Sequence, residues 1–412
     1  MARAAAHGML LKLITSSVML LVLACGDPAV EAPRERADAT EQWMLEHAAD
    51  YLQDRSWRRA ELEDSLWRPE LPYAAERLSA YALADEGWDL LPAMKTDFSL
   101  VPRASERWEA IEFEEVPTTV EQWLSLGERV FWKLPMRRDT YLDWVVSRPD
   151  LWEELGLQTG EDGSLRGVVK FRGFLGDTRV GATCGMCHGD EGVAGRASRS
   201  LDLGKGRMSF AAEMGRDPPE FAHWGPGRVD VTDDDVSDPV AIPDLWGVEH
   251  HSHLNSSGVI ELTSPAALAI RFETQYIVGH AYQARPDRVL TWALAMYVSS
   301  LEPPNRAALP ERRPGRSAFD AACAGCHRPD QGFAGQLVDA ATLTSDPQAA
   351  HSPLRGTGYY KTPSLIGISG GGPYLHDGSA PTLTALLESG HPHGHVLPES
   401  TRIDLLRYLQ TL

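Results

Sequence analysis

Four of the five cysteines fall in two short units, Cys184-Gly185-Met186-Cys187-His188 and Cys323-Ala324-Gly325-Cys326-His327. Two thiols three residues apart on one turn can each add to a vinyl group of a single haem, and the adjacent His then reaches the iron. The spacing is that of covalent haem attachment, with His as a usual proximal ligand. A zinc site built from the two Cys pairs is the main competitor, but it leaves the His after each pair without a use. The sequence therefore predicts two c-type haems, bound covalently through Cys184, Cys187, Cys323 and Cys326, with His188 and His327 on the irons.

The sixth position on each iron decides the chemistry: a second strong ligand makes an electron-transfer centre, and an open position binds peroxide or oxygen. No Met follows Met296, so the second unit has no Met of its own to offer. His351, His376, His391, His393 and His395 remain, and the cluster His391-Pro392-His393-Gly394-His395 lies just before the last helix. His391 is the expected ligand, with His393 and His395 as alternatives. Around the first unit Lys205, Met208, His250, His251 and His253 could reach the iron, without a diagnostic spacing. Arg271-Phe272-Glu273-Thr274-Gln275 supplies a carboxylate for the proton transfers of O–O cleavage and a guanidinium to polarise that bond. The plainer reading of Arg271 and Glu273 is a surface ion pair on a helix.

The elements that must position these residues come as a repeat. Leu126-Gly127-Glu128-Arg129-Val130-Phe131 and Gly315-Arg316-Ser317-Ala318-Phe319 precede the two units. After them come Pro243-Asp244-Leu245-Trp246-Gly247-Val248 and Pro363-Ser364-Leu365-Ile366-Gly367-Ile368, then His253-Leu254-Asn255 and His376-Asp377-Gly378. Each half closes on an amphipathic helix, Arg288 to Leu301 and Thr401 to Leu412, and Pro303-Pro304 make the hinge. The expected fold is mainly α-helical: a first cytochrome c-like module over 116–302 and a second over 305–412. Ahead of them, 41–115 reads as a helical extension, with Trp43, Leu45, Ala48, Tyr51 and Leu52 at three- and four-residue spacing. Its tryptophans, 43, 57, 67, 88 and 108, read as packing surface rather than an electron relay.

The start of the chain bears on location. Arg3 and Lys12 flank an apolar run from Leu13 to Ala24, too short to span a bilayer and placed as an export signal over 1–24. Val22-Leu23-Ala24-Cys25 is similar to a bacterial lipobox, so Cys25 is the expected lipidation site and 25–40 a tether. With Cys25 lipidated, no thiol pair remains for a structural disulfide. The expectation is a periplasmic protein, anchored to a membrane, more readily the outer one, only through that lipid. A formal charge of −19 argues against nucleic acid as a partner and suits a basic electron carrier.

Beyond spacing, Lys361-Thr362-Pro363-Ser364-Leu365, continuing to Pro373-Tyr374-Leu375-His376-Asp377-Gly378-Ser379 and Thr382-Leu383, resembles the C-terminal signature of the bacterial diheme cytochrome c peroxidase superfamily. That superfamily includes the diheme enzymes that mature tryptophan-derived quinone cofactors and the diheme rubber oxygenases. The resemblance covers about residues 120–412. It implies a reactive N-terminal haem fed with electrons by the C-terminal one. It places Gly390 where the family has its Met or Tyr ligand, with His391 adjacent, and Lys205 near the family's displaceable His, so the first iron would be permanently open. Glu273 falls at the family's distal glutamate. The family's inter-haem Trp has no counterpart near His253-Leu254, and Trp246 and Trp224 are the candidates to replace it.

The expected function is thus an exported, peroxidase-like diheme oxidoreductase. It would reduce hydrogen peroxide or another small oxidant at the first haem, with electrons from a small cytochrome or cupredoxin. The alternatives are a non-catalytic electron carrier with both irons six-coordinate, and a diheme enzyme acting with oxygen or peroxide on an organic or protein substrate.

Overall fold

The computed structural model describes residues 28–85, 93–94, 97–100, 109–173, 176–217, 219–232, 236–304 and 315–412. The export signal, Cys25, Trp88 and Trp108 lie outside these residues.

Helices α1 (Pro28–Gln53), α2 (Arg55–Ser65) and α3 (Pro72–Asp85) form the extension. The first of them corrects the expected tether, since 28–40 is already helical. The rest of 41–115 is not helical throughout: Asp97–Leu100 and Glu109–Ala110 are strands. They edge an antiparallel five-stranded sheet that continues through Val168–Arg172, Thr178–Ala182 and Arg137–Arg138. This sheet is the main non-helical element of a mainly helical fold, and it positions the first C-x-x-C-H unit: strand Thr178–Ala182 runs straight into Thr183 and Cys184.

The first module opens on α4 (Val120–Lys133). Thr119 caps it, its hydroxyl accepting from the Gln122 N–H while the Gln122 side chain reaches back, a reciprocal capping box. Trp123, Leu126, Gly127, Val130 and Phe131 make its buried stripe, spaced for one helical face. Next come α5 (Thr140–Val146), α6 (Cys184–His188), α7 (Leu203–Glu213), α8 (Ala266–Gly279) and α9 (Arg288–Ser299). The second module is shorter: α10 (Arg316–Ala322), α11 (Leu383–Glu388) and α12 (Glu399–Leu409).

In both modules the opening helix crosses the closing one through a glycine. A Cβ on Gly127 would sit 2.2 Å from the Ala293 carbonyl oxygen in α9, and one on Gly315 would sit 1.9 Å from that of Asp404 in α12. Gly315 is also left-handed, at φ +87°. Only glycine lets the backbones approach this closely.

The extension is a strap over both modules. α1 packs on α9, and α2 and α3 on α8, while α1 also meets the 329–331 turn of the second module. Trp43 stacks on His47 and lies beside Trp57 and Trp292, the packing role expected of these rings. The modules are locked to each other by Arg355, whose guanidinium lies 2.8 Å from Asp238 and 3.5 Å from Asp230, all three buried.

Candidate haem sites

The first attachment turn is α6 itself. Thr183 N–H bonds to the Gly167 carbonyl, and Gly167, at φ +71°, lies so close that a Cβ would sit 2.0 Å from Met186 N. The Trp132 ring covers the turn from the other side, against Gly185 and Gly189. His188 donates from Nδ1 to the Pro243 carbonyl at 2.9 Å, which leaves Nε2 for the iron. Burial first pushes His188 down to about 4, so the ring is neutral, as a ligand must be.

The second turn repeats this plan. His327 Nδ1 lies 3.0 Å from the Phe333 carbonyl, and the Pro363 carbonyl, the repeat counterpart of Pro243, also bonds to this ring. Among the described residues no three His, Cys, Asp or Glu side chains converge as a metal-ion cage requires, so the two Cys pairs do not combine into a zinc site. All four thiols are free, and burial pushes Cys184 and Cys187 up to about 12 and Cys323 to about 11. Paired free thiols, a neutral His and a carbonyl fixing its tautomer fit a covalent haem at each turn.

Of the three clustered histidines, the structure brings only His391 to His327. Burial, then repulsion from His327 and from His393, pushes His391 down to about 4. His393 is exposed, with Nδ1 2.8 Å from the Thr342 carbonyl, and His395 is exposed as well. His376 stacks on Tyr360 with ring centroids 3.8 Å apart, a structural place. His391 follows Gly390, at φ +75°, which terminates α11.

Arg271 and Glu273 are driven apart by the helix that carries both. Two residues apart on α8, they cannot share a face. Arg271 turns toward the first unit, where its charge is felt by Cys184 and His188. Its guanidinium lies 3.4 Å from Asn255 Oδ1 and from Gln275 Oε1. Glu273 turns the other way, fully buried between α8, α1 and α9. Its Oε2 accepts from the Tyr51 hydroxyl at 3.0 Å, and Arg288 Nε lies 3.0 Å from Oε1, close for an ion pair though off line for a hydrogen bond. Through these contacts Glu273 ties the extension to the first module, on the side of α8 away from Arg271. The surface ion pair considered for α8 is corrected, because Arg271 and Glu273 do not meet.

The other candidates near the first iron are also accounted for. Lys205 points to the surface, with Nζ 2.6 Å from Glu154. His250 packs under Gly332 beside Glu249. Both ring nitrogens of His251 are engaged, Nε2 by the Ser364 N–H at 3.0 Å and Nδ1 by Lys361 Nζ at 3.2 Å. His253 lies edge-on to Trp67, centroids 5.6 Å apart.

The proline loops of the two modules meet face to face. A Cβ on Gly247 would strike Ser364, and one on Gly367 would strike the Trp246 ring. Trp246 is thus buried at the junction, its Nε1 donating to Ala194 O, whereas Trp224 is held inside the first module by Ser237. Sequence reasoning missed a third ring. Trp67, from the extension, donates to Gly258 O and sits against His253 and Tyr359, at the position left without a Trp.

A family model described as RoxA-like, cytochrome c-like matches residues 358–393. The match takes in Lys361-Thr362-Pro363, His376 and His391, but neither attachment unit. The match supports a cytochrome c-like domain toward the C-terminal end, and with it c-type haem. None of the curated proteins matches it in sequence. Among solved structures, hydrazine synthase of Kuenenia stuttgartiensis pressurised with 20 bar xenon is similar at a TM-score of 0.38 and 15% identity, over 76% of this chain and 98% of that one. A likeness at that level carries no argument.

Proposed function

We propose that the chain is an exported diheme c-type oxidoreductase in which the first haem site reacts with a small oxidant, hydrogen peroxide in the first reading, and the second relays electrons to it. One observation carries the reading: a second His is brought to His327, whereas the group brought to the first attachment turn is a guanidinium. Bound haem would supply one-electron chemistry at both turns and a place for the oxidant at the first. His327 and His391 hold the second site from both sides. Arg271 presents a fixed positive charge beside the first. Reduction of peroxide to two waters takes two electrons and two protons, and with Glu273 turned away those protons come from solvent or another side chain. The electron donor is a small cytochrome or cupredoxin, and the protein is periplasmic, held to the membrane through lipidated Cys25.

A second reading is an oxygenase-type diheme enzyme acting on an organic substrate. The observation favouring it is the engagement of Glu273, which removes the acid expected for peroxide heterolysis, together with the match at 358–393. Mixing the oxidised holoprotein with hydrogen peroxide in a stopped-flow spectrometer tests the two. Prompt reaction and turnover with a reduced donor support the peroxidase. A first haem that ignores peroxide but binds dioxygen when reduced supports the oxygenase.

A further inference from the structure

Lys361 is part-buried at the junction of the modules, and the only hydrogen-bond partner of its Nζ among the described residues is His251. The geometry of that imidazole fixes the state of the amine. The Ser364 backbone N–H, which can only donate, points at His251 Nε2, so Nε2 carries a lone pair. Burial, the largest cause, disfavours protonated His251. A neutral imidazole with a lone pair on Nε2 carries its proton on Nδ1. Nδ1 must then donate to Nζ, and an Nζ that accepts is an uncharged amine. Arg271 on α8 is the fixed cation that faces Lys361, and His253, from the strand 253–254, is the other titratable group beside it. No carboxylate among the described residues pairs with Lys361 by ion pair or hydrogen bond.

We propose that in mildly alkaline solution Lys361 is held as a neutral amine in the oxidised protein and takes up one proton when the haem sites are reduced. The inference rests on the reading above that both turns carry haem. The balance is simple: an external one-electron donor supplies the electron, and a solvent proton adds to the Nζ lone pair. The added negative charge offsets the burial and the Arg271 repulsion that hold the amine at about 8. A protonated Nζ can no longer accept from Nδ1, so His251 must shift its proton to Nε2 and release the Ser364 N–H. Ser364 sits next to Pro363, whose carbonyl holds His327, and its hydroxyl donates to Gly332 O at 2.7 Å. Proton uptake at Lys361 is thereby transmitted to the proximal side of the second haem site.

The sign follows. A protonated Lys361 stabilises the reduced form, so the midpoint potential is flat at low pH and falls as pH rises above the oxidised-state value of about 8. The test is spectroelectrochemical titration of the holoprotein, with haem content measured first by mass, so that failure to bind haem is separated from failure of this inference. Lys361→Met, permanently neutral, should remove the pH dependence and match wild type at the alkaline limit. Lys361→Arg, permanently charged, should also be flat and should match wild type at the acid limit. Lys361→Gln serves as a second neutral variant if Met impairs haem loading. A wild-type potential that does not change with pH overturns the proposal. So does a slope that survives in the neutral variant.

Discussion

The two attachment turns share one plan on the proximal side and differ in what else is brought to them. In each, a C-x-x-C-H turn presents a neutral His whose Nδ1 is spent on a backbone carbonyl, Pro243 for His188 and Phe333 with Pro363 for His327. In each, a glycine lets the opening helix press on the closing one. Then the modules part. The second, compact, brings His391 near enough to His327 for their charges to repel. The first, enlarged by a sheet and covered by the extension, brings Arg271 to its turn and sends Glu273 away. In the proposed reading, a repeated turn would fix where each haem is attached, and the elements added around each copy would decide what the iron can meet.

The largest break in that comparison comes from the attachment residues. Protein matured in a host with cytochrome c assembly should carry two haems by intact mass, and Cys323→Ala with Cys326→Ala should carry one. A wild-type mass with a single haem removes the comparison altogether.

Next, Arg271→Gln should slow the reaction of the first site with peroxide by roughly 10²–10³-fold, the usual cost of one stabilising donor. Stopped-flow absorbance reads this directly, with the second haem's spectrum unchanged. Glu273→Gln separates the two faces of α8. Losing one member of a buried ion pair should cost roughly 3–5 kcal/mol of stability by denaturant unfolding. In the folded fraction the peroxide rate should change little, against the 10²–10⁴-fold loss expected of a general acid. A rate loss of that size with stability intact would restore Glu273 to the chemistry.

The smallest effect tests the shared scaffold. Gly127→Ala forces a Cβ into the Ala293 carbonyl and should cost about 1–3 kcal/mol, the usual range for overpacking. Gly315→Ala meets the Asp404 carbonyl and left-handed strain as well, so it should cost at least as much. If either is neutral in a melting experiment, the two helix crossings are not equivalent.

Much of this was legible in the sequence, for reasons that particular residues make plain. The proposed attachment is local, so the spacing of Cys184, Cys187, Cys323 and Cys326 suggests it without help from the fold. The repeat placed Pro243 and Pro363 in matching positions, and the structure gives their carbonyls the same task. The opposite facing of Arg271 and Glu273 was also legible, because residues two apart on a helix lie on different sides; the resemblance to a distal glutamate outweighed that signal. Trp67 and the Lys361–His251 contact were not legible. Each joins residues more than a hundred positions apart through the strap or the junction, and no local spacing encodes such a meeting. The helix found over the expected tether begins at Pro28, a residue suited to a first helical turn, and the charged 28–40 stretch carries no apolar periodicity to announce it.

The central claim is the asymmetry of the two irons, and the electron paramagnetic resonance spectrum of the oxidised holoprotein tests it most directly. The account predicts one low-spin signal from the His327–His391 pair and one high-spin signal from the first site, in equal amounts. It predicts further that His391→Ala converts the low-spin signal while His393→Ala and His395→Ala leave it untouched. Two low-spin signals in the wild type would contradict the account and make the protein an electron carrier.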